Sequence, residues 1–162
     1  KPMVGGGCHP FDVLRWVVDS PVVAVASMGN RIAFPAMHND DCIVSLFRFE
    51  SGCVAKVTAL YGPEAPYAHC NNIAVYGTKK SVWRDQVCED HAEGWKPLVV
   101  EAYDEKYSHG FEREMADFVG AIRTGSSVFA PARDCAQSEI ATLVATEALN
   151  EKGEVDIPQI TS

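Results

Sequence analysis

Cys42-Ile43-Val44-Ser45-Leu46-Phe47-Arg48-Phe49-Glu50-Ser51-Gly52-Cys53-Val54-Ala55-Lys56-Val57-Thr58-Ala59-Leu60 is the stretch that decides the fold class. Two runs rich in β-branched and aromatic residues flank the turn Glu50-Ser51-Gly52, which reads as an antiparallel hairpin. Neither run alternates cleanly. Ile43, Phe47 and Phe49 make one apolar face, while Cys42, Val44 and Leu46 keep the other largely apolar, so both faces are expected to be covered, one by helices and the other by a partner.

Upstream of the hairpin, Phe11, Leu14, Val17 and Val18 recur at helical spacing, and the helix is expected to end near Asp19-Ser20-Pro21, because proline disfavours helix at the residue before it. A strand over Val22 to Ser27 and a turn-rich loop over Met28 to Asp41 complete the approach to the hairpin. Downstream, Asn72 to Tyr76 and Ser81 to Arg84 flank Gly77-Thr78-Lys79-Lys80 as a second hairpin, with another extended stretch at Pro97 to Ala102. The last third changes period. Phe111, Met115, Phe118, Val119 and Ile122 form one helical stripe, Ala136, Ile140, Leu143, Val144 and Ala148 a second, and Glu154 to Ile157 a terminal strand. This order predicts an α+β fold: a predominantly antiparallel, open sheet with helices packed on one face, in one domain over residues 1–162.

Nearly half of the 162 residues are apolar, enough for a core without metal or disulfide support. A formal charge of -8 with scattered basic residues argues against nucleic acid or an anionic membrane as partner. No apolar run reaches membrane-spanning length. The six cysteines lack a C-x-x-C pair, a usage that fits buried thiols in a reducing, cytoplasmic setting. The chain is expected to be a piece of something longer.

The richest segment chemically is Gly5-Gly6-Gly7-Cys8-His9-Pro10-Phe11-Asp12-Val13-Leu14-Arg15-Trp16. Proline is favoured at the first helical position, so Pro10 predicts His9 as N-cap and Asp12 on the first turn facing the same way. The positive end of the helix dipole would then oppose protonation of His9 and favour the Asp12 anion, leaving a neutral base beside a fixed negative group. The plainer alternative, a carboxylate complementing the dipole beside a glycine loop, stands equally on these residues.

Gly-Gly-Cys-His9-x-x-Asp12-x-x-x-Trp16, the strand pair ending in Phe49-Glu50-Ser51-Gly52, the Val75-Tyr76-Gly77-Thr78-Lys79 turn and Glu114-x-x-Asp117-Phe118-x-x-Ala121-Ile122-Arg123-x-Gly125 together resemble the C-terminal domain of the Gfo/Idh/MocA oxidoreductases. The resemblance runs across nearly the whole chain. It implies a two-domain enzyme whose N-terminal Rossmann half binds NAD or NADP, and whose C-terminal half holds the substrate and forms a homo-oligomer through its open sheet. This piece alone is expected to be inactive. His9 resembles the family's histidine, which takes the hydroxyl proton when a sugar or polyol gives up hydride, and Asp12 would orient it, hold substrate hydroxyls or face the nicotinamide ribose. Many members carry an aspartate four residues before that histidine; here the position is Gly5, so a carboxylate relay from that site cannot operate.

Two further residues are carried as substrate-binding candidates. His109 stands just ahead of the Phe111 helix, where a surface loop histidine is the commoner case. Arg15, three residues after Asp12, reads first as a surface pair and second as a group that steers an anionic substrate. Neither His38 with Asp40 and Asp41 nor His69 with Cys70 has a metal-ligand spacing, so no metal is expected. A non-catalytic alternative is a self-associating sheet module or a degenerate homologue with a binding role.

Overall fold

Eight strands and three α-helices follow one another along the chain in the computed structural model, which describes residues 1–62, 64, 72–99 and 110–160. They belong to two compact units, Lys1–Glu64 with Ala130–Ser162, and Ala65–Phe129.

The first unit is a four-stranded antiparallel sheet carrying helices on one face. β1 (Val22–Asn30), β2 (Cys42–Phe49), β3 (Val54–Leu60) and β8 (Val155–Asp156) stand in the order β3-β2-β1-β8. The hairpin expected from the sequence is present, with Ser45 opposite Val57 and Phe47 opposite Ala55. β1 runs three residues beyond the expected Ser27, because Met28, Gly29 and Asn30 pair with Val44, Ile43 and Cys42. Ladder bonds to a strand already formed extend a segment whose own composition reads as loop.

Burial in β2 alternates strictly. Ile43, Ser45, Phe47 and Phe49 are buried, and the only polar one among them is satisfied by a 2.7 Å hydroxyl contact between Ser27 and Ser45. On the opposite face Met28 is 80 % exposed, Leu46 50 % and Val54 66 %.

Two helices cover the inner face, α1 (Cys8–Val18) and α3 (Ala132–Glu147), the latter continued by a single 3-10 turn, Ala148–Asn150. The ring of Phe11 lies 4.3 Å from that of Phe47, centroid to centroid, and both are fully buried. Each such side chain stabilises the core by about 2–3 kcal/mol. α1 ends where expected, with Asp19 in the left-handed region donating its N–H to Arg15 O at 2.9 Å. A short polar side chain tolerates that conformation.

The start of α1 differs from expectation. A π-helical turn, Met3–Gly7, runs directly into it, and Gly5 N–H bonds Lys1 O at 2.9 Å, so His9 is an interior residue of the helical segment and not its N-cap. Pro10 supplies no N–H, and its ring crowds the carbonyl a turn earlier; a widened turn just before it accommodates both defects without ending the helix. The positive end of the dipole therefore lies at Met3, and the dipole argument for His9 does not apply.

The expected stripe on α3 is met in part. Ala148 is buried in the core and Ile140 and Val144 pack against it, Ala136 and Leu143 are exposed, and Gln137, Ser138, Ala141, Thr142, Ala145 and Thr146 are buried as well. This small, polar face packs on the glycine-rich turn and α1, where short side chains let two helices approach closely. Its polar groups are satisfied locally or by the chain end. Thr142 and Thr146 hydroxyls donate to Glu139 O and Thr142 O, while Gln137 donates to Pro158 O at 3.0 Å and accepts from Ile160 N–H at 2.9 Å.

The second unit is a meander in the order β4 (Ala74–Tyr76), β5 (Ser81–Trp83), β6 (Gln86–Cys88) and β7 (Lys96–Pro97). The expected second hairpin is β4 and β5, and β6, three residues long, was not anticipated. Of the extended stretch expected at Pro97 to Ala102, only residue 97 falls in a strand, and 100–102 lie outside the described residues. α2 (Phe111–Thr124) ends at Gly125 in the left-handed conformation. Its apolar stripe exists in the helix but is not buried among the described residues.

Phe47→Ala removes the ring that meets Phe11 and should destabilise the first unit by about 3–5 kcal/mol in urea unfolding. A cost under about 1 kcal/mol would contradict this placement of the core.

Candidate active site on the glycine-rich helix start

Three glycines in succession leave the opening turns of the helical segment bare. At Gly7 a Cβ would collide with the buried Met3 Sδ and lie 3.4 Å from the Ala59 Cβ. Met3 fills the space that a Cβ at position 7 would need, and the turn meets β3 at van der Waals distance. Gly5 is exposed, and a Cβ built there would lie 3.0 Å from the hydroxyl of Tyr61, which follows β3. The Tyr61 ring also lies over Gly6.

His9 stands one turn after Gly5, exposed, and its ring makes no hydrogen bond among the described residues. In an α-helix a side chain leans toward the N-terminus and covers the turn before its own Cα. For residue 9 that turn is the one holding Gly5 and Gly6, over which the Tyr61 ring lies.

Asp12 lies on the same helix but is engaged elsewhere. The Ser138 hydroxyl of α3 donates to Asp12 Oδ1, and Arg15 Nη1 stands 3.8 Å from the same oxygen. Arg15 extends the network, donating from Nη1 to Asp134 O at 2.9 Å and to Ser138 Oγ at 2.7 Å, and from Nη2 to Asp134 Oδ1 at 2.8 Å. Its Nε is buried without a partner among the described residues. Arg15 therefore clasps α1 to α3 in addition to making the expected pair with Asp12 on its own helix. His109 lies outside the described residues.

The thiol of Cys8 is pushed up from its ordinary value, first by burial and then by the negative charges of Glu139 and Asp12. It is held as a neutral thiol beside His9. Among the described residues no three His, Cys, Asp or Glu side chains are grouped to hold a metal, and no helix is long and apolar enough to cross a membrane.

The sequence reading missed Tyr61, Ser138 and Asp134. Ser138 follows Asp134 by four residues, a helical spacing that marks one polar face on α3. Tyr61 carries no local signal, since what it meets lies more than fifty residues earlier in the chain.

Residues 2–83 match the family model of the GFO/IDH/MocA C-terminal domain. No curated protein sequence matches the chain. Among solved structures, a protein of Desulfitobacterium hafniense DCB-2 assigned as an NADPH-dependent oxidoreductase superposes with a TM-score of 0.79 at 20% identity, over 96% of this chain and 48% of that one. Levoglucosan dehydrogenase in complex with NADH gives 0.76 at 21% identity, over 96% and 50%. A protein of Sinorhizobium meliloti 1021 assigned as a myo-inositol dehydrogenase gives 0.73 at 16% identity, over 97% and 50%. These likenesses show a shared fold, and the chain spans about half the length of the structures it matches.

Arg15→Met keeps most of the apolar stem while removing the charged hydrogen bonds to Asp134 and Ser138. It should lower stability to urea by about 1.5–3 kcal/mol. An unchanged unfolding midpoint would remove Arg15 from its role as clasp.

Proposed function

The chain belongs to the Gfo/Idh/MocA family, and from that premise we propose that it is the substrate-binding half of an NAD- or NADP-dependent oxidoreductase acting on a sugar, polyol or related hydroxylated compound. The observation that carries this reading is His9: an exposed imidazole without a protein partner among the described residues, on the stretch that matches the family, beside a helix surface stripped by Gly5 and Gly6. Relatives of the same fold have been solved with NADH together with levoglucosan or L-sorbose, which supports a nicotinamide and a polyhydroxylated ligand here. The donor set fits such a ligand, since the exposed imidazole offers one proton acceptor on a stretch of helix whose neighbouring glycines add no bulk.

The nicotinamide, when bound, accepts a hydride from the carbinol carbon. His9 takes the hydroxyl proton of that same carbon on a ring nitrogen, so that the C–O bond becomes a carbonyl with no net charge left on oxygen. Its proton then passes to solvent, to which the exposed ring is open. In the reverse direction His9 returns the proton. Asp12 plays the supporting part: Oδ1 is held by Ser138, which fixes the pitch of α1 beneath His9, and Oδ2 is left to accept from a second substrate hydroxyl. Arg15 acts through the helix and does not touch substrate.

The outer sheet face fits a second copy of the chain. Met28, Leu46, Val54 and Leu60 are all at least 49 % exposed and lie together on adjacent strands, and their burial would complete the sandwich.

In the full-length protein, assayed by NADH or NADPH formation with a sugar and polyol panel, His9→Ala should lower kcat about a hundred- to ten-thousandfold while leaving the unfolding temperature within error. Undiminished turnover would exclude His9 as the base. Light scattering on size-exclusion fractions should give a multiple of the chain mass for the wild type and a smaller species for Leu46→Lys, whereas a monomeric wild type would rule out the sheet contact.

A further inference from the structure

We infer that the Tyr61 hydroxyl is a second substrate-binding group at the His9 site, gripping a hydroxyl adjacent to the one that His9 deprotonates. The inference rests on the reading of His9 as the acid/base.

Three observations carry it. The first is position: Tyr61 Oη occupies the space that a side chain at Gly5 would fill, 3.0 Å from the Cβ position, and His9 leans toward that same turn. The imidazole and the phenol hydroxyl are thus both placed at the Gly5 turn, the one by its position on the helix and the other by direct contact. The second is availability, for Tyr61 is 39 % exposed and its hydroxyl makes no hydrogen bond among the described residues. A phenol laid across glycine, with its O–H unspent, is free to donate to and accept from a ligand.

The third is rigidity. Tyr61 N–H donates to Asp41 O at 2.8 Å, and the fully buried Asp41 carboxylate accepts from Phe34 N–H at 2.6 Å, with Ile32 N–H farther off at 3.4 Å. Gly62, the next residue, has φ +97 and is packed so tightly beneath the Phe34 ring and Ala33 that a Cβ would not fit. The backbone on both sides of Tyr61 is therefore fixed, and the ring is held at its place by glycines below it. Preorganisation of this kind is what a specificity contact requires. It also gives the glycine at position 5 a reason, since any side chain there displaces the hydroxyl from the turn.

The pairing suits a vicinal diol. His9 removes the proton of one hydroxyl, and Tyr61 neither gains nor loses a proton over the cycle, acting only to hold the neighbouring oxygen. The contact favours polyhydroxylated substrates over simple secondary alcohols.

The test uses the full-length protein with NAD and NADP against myo-inositol, levoglucosan and L-sorbose, comparing wild type, Tyr61→Phe and His9→Ala. Tyr61→Phe retains the ring over Gly5 and Gly6, so its fold and its nicotinamide dissociation constant should match the wild type. Its kcat/KM should fall roughly ten- to a hundredfold on the best substrate, with the limb of the pH profile assigned to His9 unmoved. A Tyr61→Phe enzyme within about twofold of wild type, alongside an inactive His9→Ala, would overturn the role of Tyr61 and leave His9 standing. Equal turnover of His9→Ala and wild type, or no turnover of any of the three compounds, would overturn the acid/base reading and this inference with it.

Discussion

Met3 fills the space beside Gly7 under the helical turn, and the rest of the site depends on that packing. A Cβ at Gly7 would overlap the Met3 Sδ, while Ala59 of β3 meets the same face at van der Waals distance. A side chain there would drive the fully buried Met3 from the core. The consequences run outward: Phe11 reaches Phe47, α3 closes over the turn with alanine, serine and threonine, and His9 comes to rest on the outer side of the same segment. Packing under the turn and chemistry above it are two faces of one element.

A proline inside a helix would ordinarily break it, at a cost of about 3 kcal/mol. Here the π-helical turn before Pro10 absorbs the defect, and the core contacts of Met3 and Phe11 on either side hold the widened turn in place. Such insertions are frequent at functional sites because they offset side chains from regular spacing. Asp12, Arg15, Ser138 and Asp134 add a polar seam that locks α1 to α3. The proposed base therefore stands on a platform fixed from below by packing and from the side by charge-assisted hydrogen bonds.

What could be read from the sequence divides along the range of the interactions involved. The hairpin of β2 and β3, the end of α1 at Asp19 and the second hairpin are written in local composition and turn chemistry, and all three are found. The antiparallel α+β class followed from their order. Where the outcome depended on what meets what, the sequence was mute or misleading. The pattern of Gly5 to Pro10 reads as loop and cap, yet the segment is helical because Met3 and Pro2 are buried. The stripe read on α3 is only part of its core face: Ile140 and Val144 pack against the core, and the fully covered positions beside them are small or polar. Arg15 reads as a neighbour of Asp12, while its strongest bonds go to residues about 120 positions away. Tyr61 has no signature at all, since a tyrosine after a strand becomes significant only when the glycines it covers are known. His9 stands out by residue type and spacing, while its proposed role rests on the family match and on its exposure.

The central claim is that His9, raised on the glycine turn, faces the reacting carbon of a hydroxylated substrate. A crystal structure of the full-length protein with reduced nicotinamide and a polyol bound tests it most directly. A substrate hydroxyl is expected within roughly 2.6–3.2 Å of an imidazole nitrogen of His9, with the sugar lying beside the turn that Tyr61 covers. A polyol bound with its reacting hydroxyl held by other groups, and His9 left in solvent, would contradict it.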